Sequence, residues 1–147
     1  MSGRLKVKKE EKGNFIKLDE LKYLKFNFSF MTTNSNYGFD NAKFVDEHKS
    51  QLLSRIFELS KNPYAEVCLM SKNQGFEFIK ENDMKFTCKY KEEEFYKSEF
   101  RKRANNKYCI MRLYSNNNPA CIRCIGKVVS NIFYVMFISF DHDKLYK

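Results

Sequence analysis

Residues 132–140, Ile-Phe-Tyr-Val-Met-Phe-Ile-Ser-Phe, form the longest apolar run in the chain. Side chains alternate across a strand. Ile132, Tyr134, Met136 and Ile138 therefore fall on one face and Phe133, Val135 and Phe137 on the other. Neither face can be left in water, so the run demands a central place in a sheet with a layer packed on each side. The residues that follow, Asp141-His142-Asp143, are polar, so the same strand lifts a histidine out of the core.

Two further strands precede it, over 107–114 and 120–129. Their connections, Ser115-Asn-Asn-Asn-Pro119 and Ser130-Asn131, are short and polar, which implies an antiparallel meander. Near the other end, Phe26, Phe28 and Phe30 alternate with Asn27, Ser29 and Met31, the period of a half-buried first strand. Phe44, Val45, His48, Leu52, Ile56 and Leu59 then recur at helical spacing and predict an amphipathic helix over 41–60. His48 lies on its apolar stripe and reads as a core or boundary residue. Asp40 or Asn41 can cap this helix, and Asn62-Pro63 ends it. Pro63 opens a second, short helix through Met70.

Phe76–Ile79 is a short strand. Met84, Phe86, Cys88 and Tyr90 alternate with Lys85, Thr87 and Lys89, which predicts a strand with a basic outer face. Residues 91–104 are highly charged and read as a surface helix anchored by Phe95, Tyr96 and Phe100. With helices early and strands late, the class is α+β. We expect an antiparallel sheet of four to six strands, with an N-terminal amphipathic helix and one or two shorter helices packed on it. Residues 1–22 are a mobile basic tail, and 23–147 a single α+β domain of the size that supports one core.

The formal charge of +9 favours RNA or another polyanion as partner. Codon bias in an AT-rich genome also yields Lys in excess, and only six of the 27 basic residues are Arg. No apolar stretch reaches the ~18 residues of a membrane span, and no signal peptide precedes the five cysteines. Reduced thiols in a cytoplasmic protein, with no membrane association, are the expectation. Cys121 and Cys124 have the CxxC spacing, but on a strand they point to opposite faces and are poorly placed to share a metal. No Gly-rich phosphate loop, HExxH or calcium loop is present, so neither a cofactor nor a metal is expected.

Arg112 and Arg123 each interrupt apolar sequence, Cys-Ile-Met-Arg-Leu-Tyr and Ala-Cys-Ile-Arg-Cys-Ile, and Lys127 shares a face with Arg123. Mid-strand arginines are costly to bury unpaired. Their face is therefore either exposed or the floor of an anion-binding groove. In the second case Arg112, Arg123, Lys127 and His142 form one phosphate-facing cluster. Lys85 and Lys89 on the basic strand, with Arg101 and Arg103 in the charged segment, extend the expected nucleic-acid contacts.

This arrangement resembles the RelE/ParE superfamily of small bacterial toxins, chiefly over residues 105–147. There a strand and helices precede an antiparallel sheet bearing arginines on consecutive strands, and a His or Tyr follows the last strand. The resemblance implies an RNA-cleaving protein in which basic residues hold the scissile phosphate while a C-terminal His or Tyr assists proton transfer. By position these are Arg112, Arg123, Lys127, His142 and Tyr146. It also implies an antitoxin or immunity protein as partner. The chain is longer than usual for that family and inserts a charged section at 80–106. Its tail is similar, too, to that of small uncharacterised domains from low-GC bacteria and their mobile elements. That likeness leaves open a non-catalytic binding module for nucleic acid or an acidic protein.

Overall fold

The computed structural model describes residues 22–85 and 89–141. The expected basic tail, residues 1–22, thus lies outside the described residues but for Lys22, as do 86–88 and 142–147, His142 and Tyr146 among them. Five strands are described: β1 Lys25–Asn27, β2 Phe76–Lys80, β3 Lys107–Arg112, β4 Arg123–Val129 and β5 Ile132–Ser139. Three helices accompany them: α1 Asp46–Ser60, α2 Tyr64–Leu69 and α3 Glu92–Phe95. The fold is α+β.

The strands form one sheet in the order β1-β5-β4-β3-β2. β2 to β5 pair antiparallel, but β1 runs parallel to β5, with Phe26 beside Phe133. The sheet is therefore mixed, not antiparallel throughout. The hairpin between β4 and β5 turns on Ser130, whose φ of 58° is left-handed, and Asn131, whose side chain donates to Tyr23 O. That anchor, with Lys25 N donating to Asn131 O at 2.9 Å, docks β1 on the free side of β5. No local pattern in Phe26–Phe30 encodes this pairing.

β1 is also shorter than its alternation predicts. Asn27 Oδ1 accepts from Ser29 N at 2.8 Å, a local turn that competes with the ladder and ends the strand. The three phenylalanines consequently part company. Phe26 packs on Phe133 on one side of the sheet, and Phe30 on Phe95 and Tyr134 on the other.

Both faces of β5 are covered. On the first, Phe133, Val135 and Ile138 meet Cys109, Met111 and Cys124 of the neighbouring strands beneath α1, which contributes Leu52 and Leu59. On the second, Tyr134, Met136 and Phe137 meet Phe95, which is fully buried. Phe95 sits edge-on to Phe30, Tyr90, Tyr96 and Tyr134 at centroid distances of 5.3, 6.2, 4.9 and 5.2 Å. This second layer comes from 84–104, which is neither the predicted strand nor the predicted long helix over its described residues. Glu81–Asp83 is a 3-10 turn, α3 is a single turn, and Arg101–Arg103 is another 3-10 turn.

A β-bulge shifts the β4–β5 register between Ile125 and Gly126, leaving Met136 as the extra residue. It moves Phe137 to the face of Tyr134 and Ile138 to that of Phe133, so strict alternation fails past Met136. It also sets Ser139 opposite Arg123. Gly126 makes the close approach possible, since a Cβ there would lie 1.7 Å from Tyr134 O.

Candidate functional site

Arg112 and Arg123 are direct cross-strand partners. Alternation puts them on the face of Ile110 and Ile125, opposite α1. Arg123 is 0% exposed, whereas Arg112 is half-buried. Each is held from a loop by an asparagine. Arg112 Nη1 donates to Asn73 Oδ1 in the turn before β2, and Arg123 Nη2 donates to Asn117 Oδ1 at 3.3 Å. Asn117 reaches it from the β3–β4 loop with a left-handed φ of 63°, which asparagine tolerates better than most residues. Arg123 Nη1 donates to Cys121 Sγ, a weak acceptor.

These contacts leave the pair under-compensated. The Nε groups of both arginines are buried with no hydrogen-bond partner, and among the described residues neither guanidinium has a carboxylate. Like charges on directly paired residues of neighbouring strands repel. Taking a guanidinium out of water adds several kcal/mol more. An anion brought to these guanidinium groups would offset both terms.

The other basic residues are placed differently. Lys127 lies on the same face as Arg123 but beyond Ile125, and it is 1% exposed. Its ammonium is paired with Glu81, donates to Asn105 O at 3.0 Å, and sits under the rings of Tyr108 and Tyr96 at 5.1 and 5.9 Å. It pins the 3-10 turn after β2 to the sheet. Arg101 clips the aromatic layer, its guanidinium 4.5 Å from the Phe30 centroid while Nε donates to Phe95 O at 2.7 Å. Arg101 also draws down the Tyr134 hydroxyl, which burial pushes up more strongly. Arg103 lies over Phe100 and is exposed, as are Lys85 and Lys89. Of the expected cluster, the structure joins Arg112 and Arg123; His142 and Tyr146 lie outside the described residues.

Sequence patterns alone did not single out Asn73, Asn117 or Arg55. The first two sit in Lys-Asn-Gln-Gly and Asn-Asn-Asn-Pro stretches that read only as turns. Arg55, on the buried side of α1, donates to Arg112 O at 3.2 Å and Gln74 O at 2.7 Å, fixing both the strand end and the loop that carries Asn73. One turn earlier, Gln51 Nε2 donates to Leu113 O at 3.0 Å. His48 Nδ1 meets Tyr114 Oη at 2.9 Å. These contacts make α1 the scaffold for the arginine-bearing end of β3. Cys124 lies in the α1-side core while Cys121 touches Arg123, so the CxxC pair is divided.

No protein-family model, curated protein or solved structure matches the chain.

Proposed function

We propose that this is a small basic RNA-acting protein of RelE-like build, a metal-independent endoribonuclease whose Arg112–Arg123 pair holds the scissile phosphate. The observation that carries the reading is the pair itself: two arginines paired across neighbouring strands, one fully buried, with orphaned Nε donors and no carboxylate among the described residues. A seat of this kind stabilises the negative charge that grows on the non-bridging oxygens as the ribose 2′-hydroxyl attacks phosphorus. The 2′-oxygen–phosphorus bond forms and the 5′-oxygen–phosphorus bond breaks, leaving a 2′,3′-cyclic phosphate and a 5′-hydroxyl. One proton must leave the attacking hydroxyl and one must reach the departing oxygen. His142 is the acid or base for these transfers, with Tyr146 assisting. Chain connectivity supports that assignment, because His142 is only three residues past Ser139, the partner of Arg123 on β5. Three residues span about 11 Å at most.

A second reading is a non-catalytic binding module, carried by a bacterial mobile element, for nucleic acid or an acidic protein. The exposed Lys85, Lys89 and Arg103 favour it, since they suit a backbone-tracking surface. Purified protein incubated with RNA in excess chelator separates the two. Cleavage to cyclic-phosphate ends, lost in His142→Ala and Arg123→Ala but kept in Lys9→Ala, supports the nuclease. Salt-dependent binding without cleavage supports the module.

A further inference from the structure

α1 carries two apolar stripes. Leu52 and Leu59 are buried in the core, whereas Leu53 and Phe57, one turn apart on the outer side, are 69% and 64% exposed. Beside them lies a groove of about 380 Å³, lined by Leu52, Leu53 and Ile56 of α1 and by Phe28, Met31 and Phe39. Lysines flank this surface: Lys49 Nζ lies 4.8 Å from the Phe39 centroid, and Lys61 Nζ 4.6 Å from that of Phe57. Past its first turn α1 bears one acid, Glu58, which Arg55 engages at 3.4 Å. An exposed apolar surface with a cationic rim suits an apolar segment that also carries carboxylates.

The chain itself supplies one. Phe15, Ile16, Leu18 and Leu21 precede the described residues, with Asp19 and Glu20 among them. The described chain starts at the C-terminal end of α1, where Lys22 O accepts from Tyr64 N at 2.7 Å and Leu24 N donates to Asn62 O at 3.2 Å. From Lys22 back to Phe15 the backbone can reach about 25 Å. Phe57 and Lys49 lie only about 12 Å apart along the helix axis. The tether is therefore long enough, and it holds the segment at an effective concentration of about millimolar.

We propose that residues 15–21 dock on the outer face of α1, their apolar side chains against Leu53, Phe57 and the adjoining groove and their carboxylates toward Lys49 and Lys61. The segment is an intramolecular cover for this surface. α1 lies across the sheet from the Arg112–Arg123 pair, so the docking does not depend on a phosphate seat there.

Hydrogen–deuterium exchange of the full-length protein, read by mass spectrometry, tests the docking. Relative to their intrinsic rates, amides of residues 15–21 should exchange at least about tenfold more slowly than those of residues 6–12. Leu53→Asp and Phe57→Asp, both at exposed positions, should release that protection without altering β5. Leu69→Asp, 86% exposed on α2, should keep it. Exchange of 15–21 at the intrinsic rate in the unmutated protein overturns the proposal, whether or not the variants fold. Protection that survives both Leu53→Asp and Phe57→Asp overturns α1 as the seat. Protection lost on dilution of the protein assigns the surface to a second copy of the chain and overturns the intramolecular docking.

Discussion

Replacing Arg123 by Met should stabilise the protein while abolishing the proposed phosphate site. Most substitutions of fully buried residues do the reverse. Met is unbranched and fills the channel of the arginine stem. The substitution removes the like-charge repulsion with the paired Arg112 and the several kcal/mol of guanidinium desolvation. It forfeits two hydrogen bonds, to Asn117 Oδ1 and Cys121 Sγ, at roughly 1–2 kcal/mol each, with a further ~1 kcal/mol for imperfect packing. The net expectation is a gain of about 1–3 kcal/mol, which for a chain of this size raises the melting temperature by roughly 2–10 °C. Urea denaturation in phosphate-free buffer measures it. Phosphate supplies the second half of the test. Unmutated protein should gain about 2.7 kcal/mol at a hundredfold excess of phosphate over Kd, and Arg123→Met should gain none. A loss of more than about 1 kcal/mol in Arg123→Met would refute the reasoning, because the guanidinium would then be a net structural asset.

Three other outcomes follow from the packing. Glu81→Gln strands the Lys127 ammonium in a buried site and should destabilise by about 3 kcal/mol in urea, with little effect on phosphate affinity. Gly126→Ala sets a Cβ against Tyr134 O and should cost more than about 4 kcal/mol or prevent folding, read by circular dichroism. The raised thiol of Cys124 gives stability that is full below its ordinary value of 9.0 and is lost as pH rises from there to about 12, since the unfolded chain deprotonates first. The slope per group is at most about 1.4 kcal/mol per pH unit. Cys124→Ala should flatten that alkaline limb in urea titrations run from pH 8 to 11.

The meander of β3 to β5 was legible because its signals are local: alternating apolar runs and polar two- to five-residue turns. α1 was legible for the same reason, although it starts at Asp46 rather than 41. What the sequence concealed depends on partners distant along the chain. The parallel docking of β1 rests on Asn131 and Tyr23, 108 positions apart. Phe95 and Tyr96 read as anchors of a surface helix but form a buried aromatic layer over β5. Lys127 read as a phosphate contact because alternation places it on the face of Arg123; its ion pair with Glu81 lies 46 positions away. Arg112 and Arg123 were found as a pair because register across a short loop is nearly dictated. That neither meets a carboxylate among the described residues could be known only from the fold.

The proposed phosphate seat can be tested directly at the arginine side chains. In protein labelled with 15N-arginine, titration with inorganic phosphate should move the Nε–H signals of Arg112 and Arg123 together along one saturable curve. Arg55, Arg101 and Arg103, whose guanidinium groups are engaged elsewhere, should stay in place. Movement confined to the exposed Arg103, or no saturable movement at all, would contradict the assignment of this pair as the site that holds the phosphate.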